Sequence, residues 1–271
     1  MLELLGCHLV RCNSRLSRRA ADTHVDGPSP AAVDEHAASA AAGGTRVFLY
    51  LVPTFANPTG RCLSIARQHD LLKVARTRGI HVIEDDVYRD TTPNPPPSMW
   101  SLDHDTLTRL GSFSKSLSPG LRVGFITDGE KTVERIGNCG LLDSGGSVNH
   151  LASMVVGEMM HSGSFRDVAS TGQQLFAGRR AALSAAFDPS LFTFVRPDGG
   201  YFLWLELPEG VTSARAVVAA RQHGVQVSDG RNFYVDRTDR TAVRVSFSML
   251  DAELLVDGAE RLNRAVSSLI P

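Results

Sequence analysis

At 271 residues, with 42% hydrophobic and 21% charged residues, the chain can bury a sizeable core and has the texture of a globular protein. A formal net charge of -1 leaves no electrostatic footprint for nucleic acid or an anionic membrane, and no apolar run approaches the length of a membrane span. The four cysteines (Cys7, Cys12, Cys62, Cys139) lack CxxC or metal-ligand spacing and the histidines are scattered, which offers no metal site and fits a reduced, cytoplasmic protein.

Residues 1–45 read as an irregular N-terminal segment. Its opening, MLELLGCHLVRCNSRLSRRA, carries arginines and serines with a single acid, a composition shared by mitochondrial transit peptides and by the cut edge of a longer domain. Gly27, Pro28 and Pro30 mark a turn, and AAVDEHAASAAAGG reads as a short helix ended by glycine. From Arg46 the pattern sharpens. RVFLYLV is a continuous apolar run of strand length, expected to be covered on both faces. The turn cluster PTFANPTG leads into LSIARQHDLLKVARTRG, a helix with Ser64 as N-cap, Gly79 as C-cap, and Ile65, Leu71, Leu72 and Ala75 on one face. IHVIEDDVY is the next strand, with polar residues gathered at its C-terminal end, and the proline-rich TTPNPPPSMW is a loop. TLTRLGSF and RVGFI are strands flanking a polar turn that holds Lys115. Residues 129–190 read as mostly helical, with Met154, Met159 and Met160 assigned to core packing. Then come FTFVRP, a DGG turn, the strand YFLWLELP, a helix over 212–223, the strands VQVSD and AVRVSFS, and a terminal helix over 251–269.

Strand, helix and strand at short spacing predict an α/β fold with a mainly parallel sheet, followed by a smaller C-terminal α+β domain. The expected boundaries are 1–45 for the irregular segment, 46–180 for the large domain and 181–271 for the small one. In parallel sheets function gathers beyond the C-terminal strand ends, and Asn57, Asp85, Tyr88 and Lys115 each follow such an end. A lysine between two buried strands costs free energy unless something uses or pairs it. Desolvated and beside another cation, a lysine becomes an imine-forming nucleophile. An aspartate at a strand end suits a protonated pyridine nitrogen, and asparagine and tyrosine donors suit a phenolate oxygen. Ser112, Ser114 and Arg122 suit a phosphate dianion, each charge-assisted bond contributing about 1.5–3 kcal/mol. One cofactor has all those groups: pyridoxal 5′-phosphate.

The motifs PTFANPTG, IEDDVY, SFSKSLSPGLRVG, PDGGYFLW and VRVSFS resemble the class I/II aminotransferases of fold type I, and their order over residues 46–268 is similar to the α-aminoadipate/kynurenine branch. SFSK followed by G-L-R-x-G is a highly specific combination, and NPTG a moderately specific one. The resemblance implies a pyridoxal-phosphate transferase-like large domain, and transfer of an α-amino group between an amino acid and a 2-oxo acid. It implies that Lys115 bonds the cofactor and shuttles the substrate α-proton, that Asp85 pairs with the pyridinium nitrogen, and that Asn57 and Tyr88 bond the ring oxygen. Ser112, Ser114 and Arg122 would hold the phosphate. Arg244 would bind the substrate α-carboxylate, where a planar fork serves better than a lysine. Asp86 is the competitor for the role of Asp85; the DxxY spacing to Tyr88 favours Asp85. Gly199 and Gly200 mark a hairpin and, by the resemblance, leave room near the substrate.

The resemblance also implies a homodimer, and an N-terminal portion with a phosphate-binding loop and a ring-stacking aromatic. Neither feature is found in residues 1–45. The large domain is therefore expected to be incomplete at its N-terminal side, with cofactor affinity, activity and the dimer weakened accordingly. Other readings of the same residues are a lyase or decarboxylase, a non-catalytic ligand-sensing domain like those fused to DNA-binding modules, and a remnant without cofactor. No winged helix-turn-helix is visible in the sequence.

Overall fold

Contacts divide the chain into two units, one formed by Met1–Thr54 and Cys62–Ser170, the other by Phe55–Arg61 and Thr171–Pro271. The structure, a computed structural model, describes residues 7–10, 27–44, 46–143, 149–234 and 241–270. The expectation of a transit-peptide-like opening falls mainly outside these residues.

The first unit runs β1 (Cys7–Val10), α1 (Pro30–Ala42), β2 (Arg46–Leu51), α2 (Ile65–Arg78), β3 (His81–Asp85), β4 (Leu107–Ser112), α3 (Phe113–Ser116), β5 (Gly124–Thr127), α4 (Glu130–Gly137), α5 (Gly140–Asp143), α6 (His150–Ser162) and the start of α7 (Ser164–Ala186). Its five strands lie in chain order, β1 to β4 parallel and β5 antiparallel to β4. The helix α1, capped by Gly43, stands where a short helix ended by glycine was expected, whereas the strand β1 before it was not foreseen.

The helix α2 forms where its end signals stand. Ser64 accepts a hydrogen bond from the Arg67 amide at 3.1 Å, and Gly79 ends the helix at φ 64° in the left-handed region. Its buried stripe is Gln68, Leu71, Leu72 and Ala75, while Ile65 at the first position is 39% exposed. Leu71, Leu72 and Ala75 pack with Val33 and Ala37 of α1 on Leu49 and Leu51 of β2. The other face of β2, Phe48 and Tyr50, is half-buried. The apolar run therefore belongs to a two-sided strand with one core face, because the Tyr50 hydroxyl meets a carboxylate on the other. Met154 and Met160, expected in the core, are 61% and 53% exposed; α6 buries only the Ala152 and Val156 stripe, one turn apart.

The second unit holds β6 (Phe202–Glu206), α8 (Ser213–Gln222), β7 (Ser228–Asp229), β8 (Ala242–Ser246) and α9 (Ala252–Ser267). Its antiparallel sheet has the order β6-β8-β7. Leu203, Leu205, Val243 and Phe247 form the sheet side of a core closed by Leu255, Ala259, Leu262 and Val266 at helical spacing on α9. The expected domain division at 180/181 and the contact division at 170/171 both fall within α7. Among the described residues no helix is long and apolar enough to cross a membrane, and no three His, Cys, Asp or Glu side chains group as metal ligands.

Candidate active site

In the first unit the C-terminal ends of β3 and β4 bring Asp85, Tyr88, Ser112, Ser114, Lys115 and Arg122 to one region. Asp85 is the last residue of β3 and Ser112 the last of β4, which pair in parallel. Ser112 caps the single turn α3, its hydroxyl accepting from the Ser114 amide at 3.1 Å. The amides of Leu117 and Ser118 both donate to the Phe113 carbonyl, at 2.9 and 3.1 Å, and close the turn. Phe113 is wedged between the rings of Phe125 and Phe165, each centroid 5.6 Å away. Lys115 is thereby carried on a backbone turn anchored from both ends, and its Nζ lies 5.7 Å from the centroid of the buried Tyr88 ring.

Arg122 adopts φ 55°, a conformation rare outside glycine. That geometry folds its guanidinium back over the turn, where Nη1 donates to Ser114 Oγ and to the Pro119 carbonyl, both at 3.3 Å. A hydroxyl and a guanidinium joined in this way, with Ser112 alongside, are the donor types an anion requires.

The two adjacent aspartates have different surroundings. Asp86 has a fully buried side chain, with Arg109 Nε at 2.9 Å and Arg89 Nη1 at 3.6 Å from Oδ2. Asp85 receives a hydrogen bond on Oδ2 from the Tyr50 hydroxyl. Oδ1 of each aspartate is buried without a hydrogen-bond partner among the described residues. Asp86 is balanced by two guanidinium groups; Asp85 is met by a neutral phenol. Glu84, fully buried, accepts the amides of Met99 at 2.8 Å and Trp100 at 3.0 Å, which ties the end of the proline-rich loop to β3. Burial, and then the charge of Asp86, push the Glu84 carboxyl above the ordinary range, against the pull of those two amides and of Arg109.

In the second unit Arg244 Nη1 donates to Asn57 Oδ1 at 2.7 Å and Nη2 to Ser228 Oγ at 3.2 Å. Its guanidinium carbon lies 4.0 Å from the Phe202 ring centroid and 4.7 Å from that of Phe233. The arginine is thus oriented between two aromatic faces by two polar contacts. Phe55, just before Asn57 in the chain, is buried with φ 50°. A Cβ on Gly199 would meet the Phe55 ring at 2.4 Å, and one on Gly200 would meet Phe55 Cβ at 2.8 Å. The room these glycines leave is taken up by Phe55.

Tyr50, Ser228, Phe202, Phe233 and Phe55 were not singled out by the sequence. Tyr50 carried one signal, a hydroxyl at the end of an otherwise apolar strand; Phe202 sits in register diagonal to Arg244, visible only once β6 and β8 are paired.

The family model described as aminotransferase class I and II matches residues 12–262. The chain is 32% identical over 235 residues to the 2-aminoadipate transaminase of Thermus thermophilus, covering 82% of this chain and 58% of that protein. It is 30% identical over 230 residues to a protein of Bacillus subtilis named as the uncharacterized HTH-type transcriptional regulator YdfD, covering 83% of this chain and 47% of that protein. Among solved structures it is similar to LysN, the alpha-aminoadipate aminotransferase from Thermus thermophilus, complexed with N-(5′-phosphopyridoxyl)-L-leucine. That likeness has 30% identity and a TM-score of 0.77, and covers 90% of this chain and 64% of that one. The chain thus spans between 47% and 64% of the length of these relatives. With a family model matched along most of its length and an α/β unit with a mainly parallel sheet, the chain belongs to the class I and II aminotransferases.

Proposed function

We propose that this chain binds pyridoxal phosphate and serves the exchange of an α-amino group between an amino acid and a 2-oxo acid. The observation that carries the reading is the half-open carboxylate of Asp85 at the end of β3, with Lys115 held over Tyr88 at the neighbouring strand end. The residues fit the cofactor. A buried acceptor without a partner, Asp85 Oδ1, suits a protonated ring nitrogen, and two hydroxyls with a guanidinium suit the phosphate.

When bound, the cofactor supplies an aldehyde that condenses with amines and a ring that withdraws electrons from the substrate Cα. Lys115 Nζ would bond the aldehyde carbon and move the substrate α-proton. Asp85 would keep the proton on the ring nitrogen, Tyr88 and Asn57 would donate to the ring oxygen, and Ser112, Ser114 and Arg122 would hold the phosphate. Arg244, oriented by Asn57 and Ser228, takes the substrate α-carboxylate.

The test is spectroscopic. Purified protein mixed with pyridoxal phosphate is expected to show a lysine-bound absorption band that disappears on borohydride reduction and in Lys115→Ala. Adding an amino acid converts the cofactor to the pyridoxamine form with release of the 2-oxo acid. No band at millimolar cofactor rejects the reading; keto product and ammonia without pyridoxamine point instead to an eliminating lyase, and carbon dioxide with an amine product to a decarboxylase. A second reading, a ligand-sensing domain, is supported by the similarity to a protein named as a transcriptional regulator. It predicts the same band with no amine transfer to any 2-oxo acid. Assembly as a homodimer is part of the proposal, with sedimentation at micromolar chain as its check.

A further inference from the structure

Tyr50 is a polar side chain on an apolar strand, and its hydroxyl donates to Asp85 Oδ2. In the β2–β3 register Tyr50 stands opposite Ile83, so Asp85, two residues further along β3, shares its face. Phe48, on the same face of β2, offers no donor, and the side chains of Leu49 and Leu51 are buried on the other face. The two guanidinium groups nearby are both committed to Asp86.

An aspartate carboxylate turns about a soft terminal torsion, so its two oxygens exchange places unless something distinguishes them. The Tyr50 bond makes that distinction. Oδ2 is occupied, and Oδ1 is the buried oxygen with no hydrogen-bond partner among the described residues. A buried acceptor left open is costly by itself, and a donor arriving from outside the chain would relieve that cost.

We infer that Tyr50 is a positioning residue of the cofactor site: it holds the Asp85 carboxylate with Oδ1 presented to a protonated ring nitrogen. The inference rests on the reading of Asp85 as the partner of that nitrogen. Tyr50 acts through Asp85 and not by touching the cofactor, so losing its hydroxyl weakens only what depends on the ring nitrogen.

The experiment titrates the full chain, wild type and Tyr50→Phe, with pyridoxal phosphate and with its analogue in which a C–H replaces the ring nitrogen. Binding is read from the lysine-bound absorption band. In the wild type, pyridoxal phosphate is expected to bind more tightly than the analogue. In Tyr50→Phe its dissociation constant rises about tenfold, the size of one lost hydrogen bond to a charged group, while that of the analogue changes less than about twofold. Equal weakening of both ligands, as a merely structural role predicts, overturns the inference, and so does no weakening of either. A wild type that binds both ligands equally well removes the ring-nitrogen role of Asp85, and the inference with it. A wild type that binds neither overturns the cofactor reading itself. Should Tyr50→Phe lose its far-ultraviolet circular dichroism, Tyr50→Leu is titrated in its place and the same ratio decides.

Discussion

Asp86 and Asp103 show how single buried carboxylates are held in the first unit, and each carries a measurable consequence. Asp86 is enclosed with Arg109 at 2.9 Å and Arg89 at 3.6 Å. Replacing Arg109 by methionine leaves a buried charge with its more distant partner alone, and the expected loss is about 3 kcal/mol of stability, read from urea denaturation. For Asp103, 2% exposed at its side chain, burial opposes ionisation. The Thr106 hydroxyl, Arg76 at 2.7 Å and the Asp105 amide outweigh it, so the carboxyl titrates below the ordinary range. A carboxyl whose folded value lies below its unfolded one contributes stability that is complete above the unfolded value and disappears as pH falls through the folded one. Asp103→Asn is therefore expected to be less stable than wild type at neutral pH. The gap narrows as pH drops below about 4, in denaturation series across pH. A gap independent of pH would assign the effect to packing alone.

Among elements, the helix α2 was the most legible in the sequence, because its signals are local. Ser64 before the apolar stripe and Gly79 after it act through neighbouring backbone, and both act as their residue types require. Ser64→Ala is expected to cost about 1 kcal/mol, measured as a lower denaturant midpoint with an unchanged slope. The strand β2 was legible only in part. Its run RVFLYLV shows strand length, but which face meets a core and which meets a carboxylate depends on β3, a pairing no local pattern encodes. α6 failed differently: its methionines read as core because they are apolar, yet only Ala152 and Val156 face one. In the second unit the DGG turn was read from its glycines, while the reason for two of them in succession, the Phe55 ring, lies far away in sequence. Gly199→Ala drives a Cβ to 2.4 Å from that ring. The ring is buried and its backbone is already at φ 50°, so it has little freedom to retreat. The expected loss is about 1–3 kcal/mol, and the Asn57–Arg244 contact goes with it. A far-ultraviolet spectrum like wild type with a lowered thermal midpoint is the expected result.

At the scale of the whole molecule, sequence order conceals one feature outright. Phe55–Arg61, which carries Asn57, lies in the chain between β2 and α2 of the first unit, yet its contacts place it with the second. Reading along the chain assigns Asn57 to the same strand-end group as Asp85 and Tyr88; its bond to Arg244, which Asn57 Oδ1 accepts, is invisible in that reading. The fold class needed only the alternation of strands and helices; the grouping of site residues needed the tertiary contacts. That grouping has a thermodynamic consequence. Lys115, Asp85, Tyr88, Ser112, Ser114 and Arg122 all lie in the first unit, so cofactor bound through them stabilises that unit by mass action. Free pyridoxal phosphate at a hundred times its dissociation constant adds about 2.7 kcal/mol. For a unit of this size, that corresponds to a rise of roughly 5–10 °C in its thermal midpoint. Where the two units melt separately, the transition of the first unit moves more than that of the second, which offers the cofactor Asn57 alone, and the shift grows with the logarithm of cofactor concentration. In Lys115→Ala, which retains Asp85 and the phosphate donors but loses the bond to the aldehyde, the shift at the same concentration is smaller than in wild type. Calorimetry at several cofactor concentrations separates the two. A midpoint that ignores cofactor in the wild type would remove Lys115 and its neighbours from the role proposed for them, whatever the resemblance of the chain to its family.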